Sequence, residues 1–521
     1  MNTCRRSPLR IPIPLSALLG VVLMGLWIPA SAQTTVAAPR VDRASNTVVT
    51  QSALNGLKVM NYYPSDYSWD KMWTEWKPAV IDADFARIAA LNANTVRVIV
   101  NVSAFQYPSP KSTMLGELEQ IITLAHSHGL LTQLTLFDWW SSYSDIHGSK
   151  QWAAQVLAPY ANDPRIAFVE LQNEIDPGSP GQGSAATTWA QQLLPYVKQL
   201  VGDIPVTVSV TDGSAGGPAA ELPLLIANLG TAQPDFYDIH QYYGAPYEDY
   251  YQIRGAQRAA QAQGLALFIG ETGTSTLAAD YAGISIPQTQ ASYEDYQDFT
   301  YRFAFHVTSR LNLPAAAPWV LWDFAPNTVD WVTSDSDQYD FGLYRVDGTA
   351  KPAAATVAAF FQDGSVSESF NNGFEEQIPG TTVLPALWQI YESGLGHFAS
   401  DTTVAHTGNA SVKIWDSSSS SSGNPSLFTY PIAGVDAGTT RTASVFVKGS
   451  NATGTTQICL AWFGSDFSYL GNDCDGSVSG TTAWSQISVS GTAPAGVAFV
   501  EIFLTSADNT GTVWFDDVAF K

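Results

Sequence analysis

Two glutamates occupy matching places in the sequence, each just after an apolar segment. Glu174 follows the segment 166–172, and Glu271 follows the segment 265–270. Two facing carboxyl groups can cleave a glycosidic bond, because one protonates the leaving oxygen while the other acts on the opposite side of the sugar carbon. A single glutamate at a strand end is usually solvated or ion-paired, so the hypothesis depends on the pair.

Short apolar runs alternate with helical patterns from about residue 57 to 323, which predicts an α/β fold of repeated βα units. Eight such runs are present, and eight parallel strands close a (β/α)8 TIM barrel. A doubly wound open sheet would also fit the alternation, but no GxGxxG follows the first run. In a barrel both glutamates lie at the catalytic mouth. The predicted strands are 57–61, 96–100, 131–137, 166–172, 205–210, 236–240, 265–270 and 319–323.

The sequences around the two glutamates resemble known signatures. Val-Glu-Leu-Gln-Asn-Glu at 169–174 and Ile-Gly-Glu-Thr-Gly at 269–273 resemble the fourth-strand and seventh-strand motifs of retaining (β/α)8-barrel glycoside hydrolases, most closely family 5. Residues 95–97, 238–242, 322–323 and 341–352 match in the same order. The resemblance covers roughly residues 55–361 and implies double displacement, with Glu174 as acid/base and Glu271 as nucleophile about 5 Å apart.

The resemblance also implies supporting roles around the two carboxylates. Arg97 would lie beneath Glu271 and keep it ionised, while Tyr242 would donate a hydrogen bond to it. His240 would border Glu174 and orient it. Arg97 and His240 could instead be ordinary buried, paired polar groups.

Further implied residues would hold the sugar. Asn173 would bind the sugar 2-hydroxyl, and Trp322 would form the floor beneath the reacting ring, whereas alternation along the strand assigns Trp319 to the core. Family 5 endoglucanases usually carry a histidine at the end of the third strand, but here the segment ends in Phe-Asp-Trp-Trp. Asp138 and Trp139 in that segment are closer to the mannan-cleaving branch and are predicted to bind substrate.

These features predict an endo-acting β-glycanase with a polysaccharide substrate, β-1,4-glucan or β-mannan being favoured. No cofactor is expected for catalysis. Two alternatives stay open: a glycan-binding or scaffold protein whose barrel does not catalyse, and a transglycosylase that uses the same carboxylates. A monomer is expected.

Residues 1–32 have the order of a secretory signal peptide. Arg5, Arg6 and Arg10 precede the apolar run 11–28, and Ala-Ser-Ala follows at 30–32. Cleavage predicts a secreted, extracellular or periplasmic protein with no membrane association; an uncleaved anchor is the alternative. The mature chain would carry 21 basic and 47 acidic side chains, a net charge of −26, so nucleic acid is not expected as a partner.

The composition changes after the predicted barrel domain, 33–363. A linker is expected at 364–369, and residues 370–521, rich in Ser, Thr and Gly, predict an all-β jelly-roll sandwich. Cys459 and Cys474 suit a disulfide in an oxidising compartment, with two buried thiols as the alternative.

The sandwich segment resembles a carbohydrate-binding module of the cellulose- and xylan-binding jelly-roll type. The motifs that carry this resemblance are Asn-Gly-Phe-Glu at 372–375, residues 406–411 and Val-Trp-Phe-Asp-Asp-Val at 513–518. In such modules an early Glu and a late Asp hold a structural calcium, which makes Glu375 and Asp517 its candidate ligands. Hydrogen bonds to loops are an equal alternative. Aromatic residues that could stack on sugar, or equally belong to the core, are Trp388, Tyr391, Trp462, Phe467 and Tyr469.

Overall fold

The computed structural model describes most of the chain after residue 48. The described residues are 49–178, 183–211, 216–242, 246–281, 289–326, 328–329, 336–366, 371–375, 377, 385, 388–391, 396–416, 425–429, 431–433, 435–464 and 468–521, without the side chains of 246–249, 281, 391, 396, 416 and 433. The predicted leader, 1–32, and residues 367–369 of the predicted linker lie outside them. In the described part of the chain, no helix is both long enough and apolar enough to cross a bilayer.

The described residues from 49 to 366 form the predicted (β/α)8 barrel. Neighbouring strands pair in parallel in the orders β1-β2-β3-β4-β5 and β6-β7-β8, and β5 and β6 are two parts of one barrel strand separated by Val208. The strands are β1 (Val59–Asn61), β2 (Thr95–Ile99), β3 (Leu131–Phe137), β4 (Ile166–Gln172), β5 (Val206–Thr207), β6 (Ser209–Val210), β7 (Tyr237–His240) and β8 (Leu267–Glu271).

The barrel is closed by a short irregular segment instead of a regular eighth strand. The Thr272 amide donates to the Ala317 carbonyl at 2.9 Å, and the Asn61 amide donates to the Pro318 carbonyl at 3.3 Å, which joins β8 to β1. Pro318 forms a parallel bridge with Thr272, whereas Trp322 bridges to Tyr344 outside the barrel wall. The Leu321 amide also donates to the Asn61 carbonyl at 3.3 Å, so the predicted strand 319–323 overlaps this segment but begins two residues late. Strand alternation does not govern its side chains.

Helices cover the outside of the barrel because each buries one apolar stripe. In α7, for example, Trp189, Leu193 and Val197 recur every four residues and are fully buried. The helices are α1 (Gln51–Leu54), α2 (Asp70–Thr74), α3 (Pro78–Ala90), α4 (Val102–Phe105), α5 (Ser112–Ser127), α6 (Ile146–Leu157), α7 (Gly183–Val201), α8 (Pro218–Leu229), α9 (Pro246–Ala262), α10 (Gln290–Arg310) and α11 (Pro352–Asp363).

The described residues after 370 form an antiparallel β-sandwich and contain no helix. One sheet has the order β10-β11-β19-β14-β17 and the other β16-β15-β18-β12-β9, with β13 paired to β18. The strands are β9 (Trp388–Tyr391), β10 (Gly396–Asp401), β11 (Ser411–Asp416), β12 (Ser426–Thr429), β13 (Ile432–Ala433), β14 (Thr440–Ala452), β15 (Thr455–Gly464), β16 (Tyr469–Asp475), β17 (Gly480–Thr492), β18 (Val497–Ala507) and β19 (Thr512–Phe520).

The sandwich core consists of the inward-facing residues of both sheets, such as Val445, Ile458 and Ile502. Cys459 on β15 and Cys474 on β16 are bonded to each other. Of the aromatic residues considered for sugar stacking, Trp388 and Trp462 belong to this core and Tyr469 is exposed. Phe467 and the side chain of Tyr391 lie outside the described residues.

Candidate active site

The end of β4 is fixed to the strands on both sides. The Asn173 amide donates to the Phe137 carbonyl at 2.8 Å, and the Glu174 amide donates to Ser209 Oγ at 2.9 Å. Glu174 has a φ of 50°, a left-handed conformation that a non-glycine residue keeps only when its surroundings impose it. These bonds hold the side chain of Glu174 over the barrel mouth.

Glu271 is the last residue of β8 and lies deeper than Glu174. Its carboxylate contacts Arg97 Nη1 and accepts a hydrogen bond from the Tyr242 hydroxyl at 2.5 Å. Its side chain is 5% exposed, whereas that of Glu174 is 31% exposed. Glu271 is therefore held from several directions, while Glu174 meets solvent.

The two carboxylates face each other beside one histidine. An oxygen of Glu174, Nδ1 of His240 and an oxygen of Glu271 all lie within 4.8 Å of one another. Nδ1 lies 3.0 Å from Glu174 and 3.5 Å from Glu271. Retaining glycosidases place their carboxyl groups about 5–5.5 Å apart, and inverting ones about 6.5–9.5 Å. The spacing therefore suits a double displacement.

A buried ion pair lies beneath the site. Glu170 Oε2 accepts hydrogen bonds from Nε and Nη2 of Arg97 at 2.9 and 2.8 Å, and both side chains are fully buried. Nη2 of Arg97 also donates to Asn173 Oδ1 at 2.7 Å, and Nη1 donates to Asn61 Oδ1 at 2.9 Å. Burial acts to raise the pKa of Glu170, but Arg97 and His240 outweigh it and lower that pKa. Arg97 thus joins Glu271, Glu170 and Asn173 in one charged network.

His240 is fully buried among these carboxylates. Burial acts to lower its pKa, but Glu271 and Glu174 outweigh that effect and raise the pKa to about 9. The imidazole therefore carries a proton at neutral pH. Three ligand atoms at this spacing could surround a metal ion, but metal ligation requires a neutral imidazole. The proton on His240 and the charge of Arg97 both oppose a cation here.

A cleft of about 350 Å³ lies above the two glutamates. A second cleft of about 350 Å³ shares Asp138, Trp139, Asn173 and Glu174 with the first, so Glu174 lies between the two clefts.

Burial raises the pKa of Asp138, one of the residues that line the clefts, to about 7, and Asp138 Oδ1 accepts a hydrogen bond from Asn173 Nδ2 at 3.1 Å. Trp139 is 72% exposed. The first cleft is lined by Trp69, Ile99, Asp138, Trp139, Asn173, Glu174, Tyr242, Glu271, Trp319, Asp337, Gln338 and Phe341.

The prediction that Trp322 forms the floor beneath the reacting sugar ring is wrong. Its ring is buried, with the Arg87 guanidinium 4.8 Å from the ring centre and the ring centre of Tyr344 5.5 Å away. Trp319 lines the cleft instead and packs edge-on against Trp69 at 6.2 Å. The prediction failed because it assumed regular strand alternation across a segment that forms only isolated bridges.

Comparison with protein families agrees with this geometry. The model described as cellulase (glycosyl hydrolase family 5) matches residues 59–327, which is more than half of the chain. The chain belongs to glycosyl hydrolase family 5. It is therefore a retaining glycoside hydrolase, as predicted. No relative was found among curated proteins.

Several solved structures are similar to this family 5 chain at low identity. An exo-β-1,4-mannosidase from Opitutaceae bacterium strain TAV5 is 19% identical with a TM-score of 0.46, and the match covers 58% of each chain. A GH5_18 protein from Bifidobacterium longum subsp. longum, in complex with Manβ1-4GlcNAc, is 16% identical with a TM-score of 0.48, covering 59% of this chain and 78% of that one. A family 39 glycoside hydrolase from Bacteroides cellulosilyticus WH2 is 12% identical with a TM-score of 0.42, covering 86% and 80%.

Several residues of the family 5 site were not singled out from the sequence. A sequence pattern could have identified Glu170, because period-two alternation along β4 puts residues 170 and 172 on one face of the strand. Trp69 was one of six aromatic residues in the loop after the first strand, where nothing distinguished it. No sequence pattern distinguishes Asn61 and Ser209 as site residues, because small polar residues are common both at strand ends and in loops.

The two predicted calcium ligands lie together in the sandwich. Glu375 accepts from the Asn409 amide with both oxygens, at 3.0 and 2.9 Å. Asp517 accepts from the Thr407 hydroxyl at 2.6 Å and contacts His406 Nδ1 at 2.6 Å. Calcium takes six to eight oxygens, and a third carboxylate lies close by, because Asp516 Oδ2 accepts from the amides of His406 and Thr407 at 2.6 and 3.2 Å. Backbone carbonyls and water would have to complete the shell, and calcium binding stays a prediction.

Proposed function

We propose that the chain is a secreted endo-β-glycanase that cleaves β-1,4-glucan or β-mannan with retention of configuration, with Glu174 as acid/base and Glu271 as nucleophile. One observation carries the proposal. The two carboxylates come within 4.8 Å of each other at the floor of a cleft, and their surroundings differ.

The surroundings support this division of roles. In the first step Glu271 bonds to the anomeric carbon while Glu174 gives its proton to the glycosidic oxygen, and the leaving sugar departs. In the second step Glu174 takes a proton from water, whose oxygen displaces Glu271 from the same carbon. A nucleophile benefits from fixed position, which Arg97 and Tyr242 supply. An acid/base must exchange protons with water, and Glu174 is the more exposed of the two.

Asn173 is suited to the sugar 2-hydroxyl. Its Oδ1 accepts from Arg97, and one proton of its Nδ2 is donated to Asp138. The second Nδ2 proton remains to be donated, and Asn173 lines the cleft beside both glutamates. A bond from that proton to the 2-hydroxyl would strengthen in the transition state.

The two clefts support endo action. They meet at Glu174, so sugar units can occupy space on both sides of the bond being cut. Trp139 borders both clefts and its exposed ring suits stacking on a sugar face. The Phe-Asp-Trp-Trp sequence at 137–140, similar to the mannan-cleaving branch, supports β-mannan beside β-1,4-glucan.

The sandwich would then keep the barrel near insoluble substrate. Linking a binding module to a catalytic domain raises the effective concentration of polymer at the cleft. The leader-like order of residues 1–32 and the Cys459–Cys474 disulfide both support export to an oxidising compartment.

Hydrolysis of a polysaccharide panel tests the proposal. Soluble β-1,4-glucan, β-mannan, xylan and β-1,3-glucan are digested, early products are separated by chromatography, and the first anomer is read by NMR. We expect oligosaccharides of mixed length from glucan or mannan, with the β-anomer first, and none from a Glu271→Gln control. Release from one chain end alone would contradict endo action, α-anomers would contradict the nucleophile, and products longer than the substrate would favour a transglycosylase.

A further inference from the structure

One outer face of the sandwich carries a row of aromatic and basic side chains. Lys413 on β11, Trp514 on β19 and Lys448 on β14 are cross-strand partners on adjacent strands of the five-stranded sheet. Trp415, two residues from Lys413, lies beside this row, and Trp484 on β17 extends it past Lys448. These five residues are called the platform.

The platform faces outward because its strands bury the alternate residues. Val412, Val447 and Val513 point into the core and are fully buried, whereas all five platform side chains are partly exposed. The other sheet is differently placed, since the Arg254 guanidinium of α9 lies 5.1 Å from the ring centre of Phe499 on β18. The platform sheet is therefore the one whose outer face presents accessible indole rings.

Polar contacts fix the indoles in the platform. Asp401 Oδ2 accepts from Trp514 Nε1 at 3.0 Å and from Lys413 Nζ at 3.2 Å. The Lys413 ammonium lies 5.4 Å from the centre of the Trp415 ring, and that of Lys448 lies 5.8 Å from the centre of the Trp514 ring. The rings of Trp514 and Trp415 are thus held before any ligand arrives, which lowers the entropy cost of stacking.

The charge of the platform is opposite to that of its domain. Residues 371–521 contain 13 acidic and 4 basic residues, and two of the four basic residues are Lys413 and Lys448. Asp401, the acid beside them, is only 8% exposed. In a chain with a net charge of −23, the charges that this row presents to solvent are positive.

We propose that the platform binds an acidic polysaccharide, a chain of pyranose rings that stack on Trp415, Trp514 and Trp484 and carry carboxylates that pair with Lys448, next to the Lys413–Asp401 ion pair. Flat C–H faces of sugar rings suit indole surfaces. Ammonium groups beside those rings select an anionic chain over a neutral one. This proposal rests on the proposed function, because the sandwich would hold the barrel on a matrix in which an acidic polysaccharide lies beside the neutral β-glycan that the barrel cleaves.

Calorimetric titration of the full chain carrying Glu271→Gln, which cannot cleave cellohexaose, tests the platform, and the platform variants are also made in the active chain for the hydrolysis control. The ligands are a β-1,4-linked glucuronate hexasaccharide and cellohexaose, which differ in their carboxylates. We expect the acidic hexasaccharide to bind at least about 10-fold more tightly at low salt, with the preference lost as NaCl screens the charges. Trp514→Ala and Lys448→Gln should each weaken binding of the acidic ligand about 10-fold, whereas Tyr469→Ala, an exposed aromatic on the other sheet, should not.

The outcomes separate this proposal from the proposed function. Equal affinity for both hexasaccharides overturns the acidic ligand, and binding that Trp514→Ala and Lys448→Gln leave unchanged overturns the platform. Lys448→Gln removes charge from an outward-facing side chain, so it keeps the test valid if Trp514→Ala fails to fold. Hydrolysis of a small aryl glycoside reports on the barrel alone, and we expect all three variants to retain it.

Discussion

Glu174 and Glu271 approach each other to within 4.8 Å, and the imidazole of His240 lies beside both. The two carboxylates otherwise meet different surroundings. Glu271 is held by Arg97 and Tyr242, while Glu174 is partly open to water. This asymmetry predicts that replacing the two residues will have different effects.

Glu271→Gln should abolish hydrolysis of every substrate, because no covalent intermediate can form. Glu174→Gln should lower kcat on polysaccharide by about 10²–10⁴-fold, the contribution of general acid catalysis. With an aryl glycoside whose leaving group needs no proton, Glu174→Gln should still release a burst of phenol. Stopped-flow measurement of that burst checks the prediction, with the exposed Glu75→Gln as control. A burst from Glu271→Gln and none from Glu174→Gln would mean that Glu271 is the acid/base and Glu174 the nucleophile.

Glu170→Gln should destabilise the barrel although Glu170 does not line the cleft. Removing one partner of a buried ion pair costs about 3–5 kcal/mol, because the remaining charge loses its compensation. Glu119, whose exposed carboxylate pairs with Arg165 at 2.7 Å, offers a matched control, and Glu119→Gln should cost about 1 kcal/mol or less. Urea unfolding of the three proteins measures the difference. Equal midpoints for Glu170→Gln and wild type would contradict the role of the network.

The sequence was sufficient for the barrel because its strands are apolar runs of ordinary length, and β3 and β4 match the predicted bounds. It was also sufficient to bring Glu174 and Glu271 together, since both follow strands whose ends meet at one mouth. It was not sufficient for the segment after 316, where backbone bonds to Thr272 and Asn61 decide which tryptophan faces the cleft. Those bonds join residues far apart in the chain, so no pattern in the neighbouring sequence predicts them.

Trp319→Ala should impair catalysis and Trp322→Ala should impair stability. Trp319 lines the cleft, so loss of ring stacking should lower kcat/KM roughly 10-fold, equivalent to about 1.4 kcal/mol. Trp322 is buried and packs against Arg87 and Tyr344, so its loss leaves a cavity and lowers Tm. Steady-state kinetics beside calorimetry distinguishes the two effects. A large loss of kcat/KM in folded Trp322→Ala would restore Trp322 as a substrate-binding residue.

Calcium should raise the Tm of the sandwich if Glu375 and Asp517 hold it. A ligand that binds only the folded state stabilises by about 2.7 kcal/mol at 100 times its Kd. Scanning calorimetry in excess EDTA and then in millimolar CaCl₂ measures the shift, and Asp517→Asn should abolish it. An identical Tm in both buffers would mean that these carboxylates serve only their hydrogen bonds to Asn409 and Thr407.

His240 should make the barrel less stable as the solution becomes alkaline. Its pKa is about 9 in the folded protein and about 6.5 when unfolded, so the folded state binds the extra proton between those values. The stabilisation is complete below about pH 6.5, amounts to roughly 3 kcal/mol, and is lost as pH rises through about 9. Urea unfolding of wild type and His240→Gln at half-unit intervals from pH 6 to 10 measures this contribution. The difference between their free energies of unfolding should shrink as the pH rises. A difference between the two proteins that stays constant across that range would contradict a protonated His240 between the glutamates.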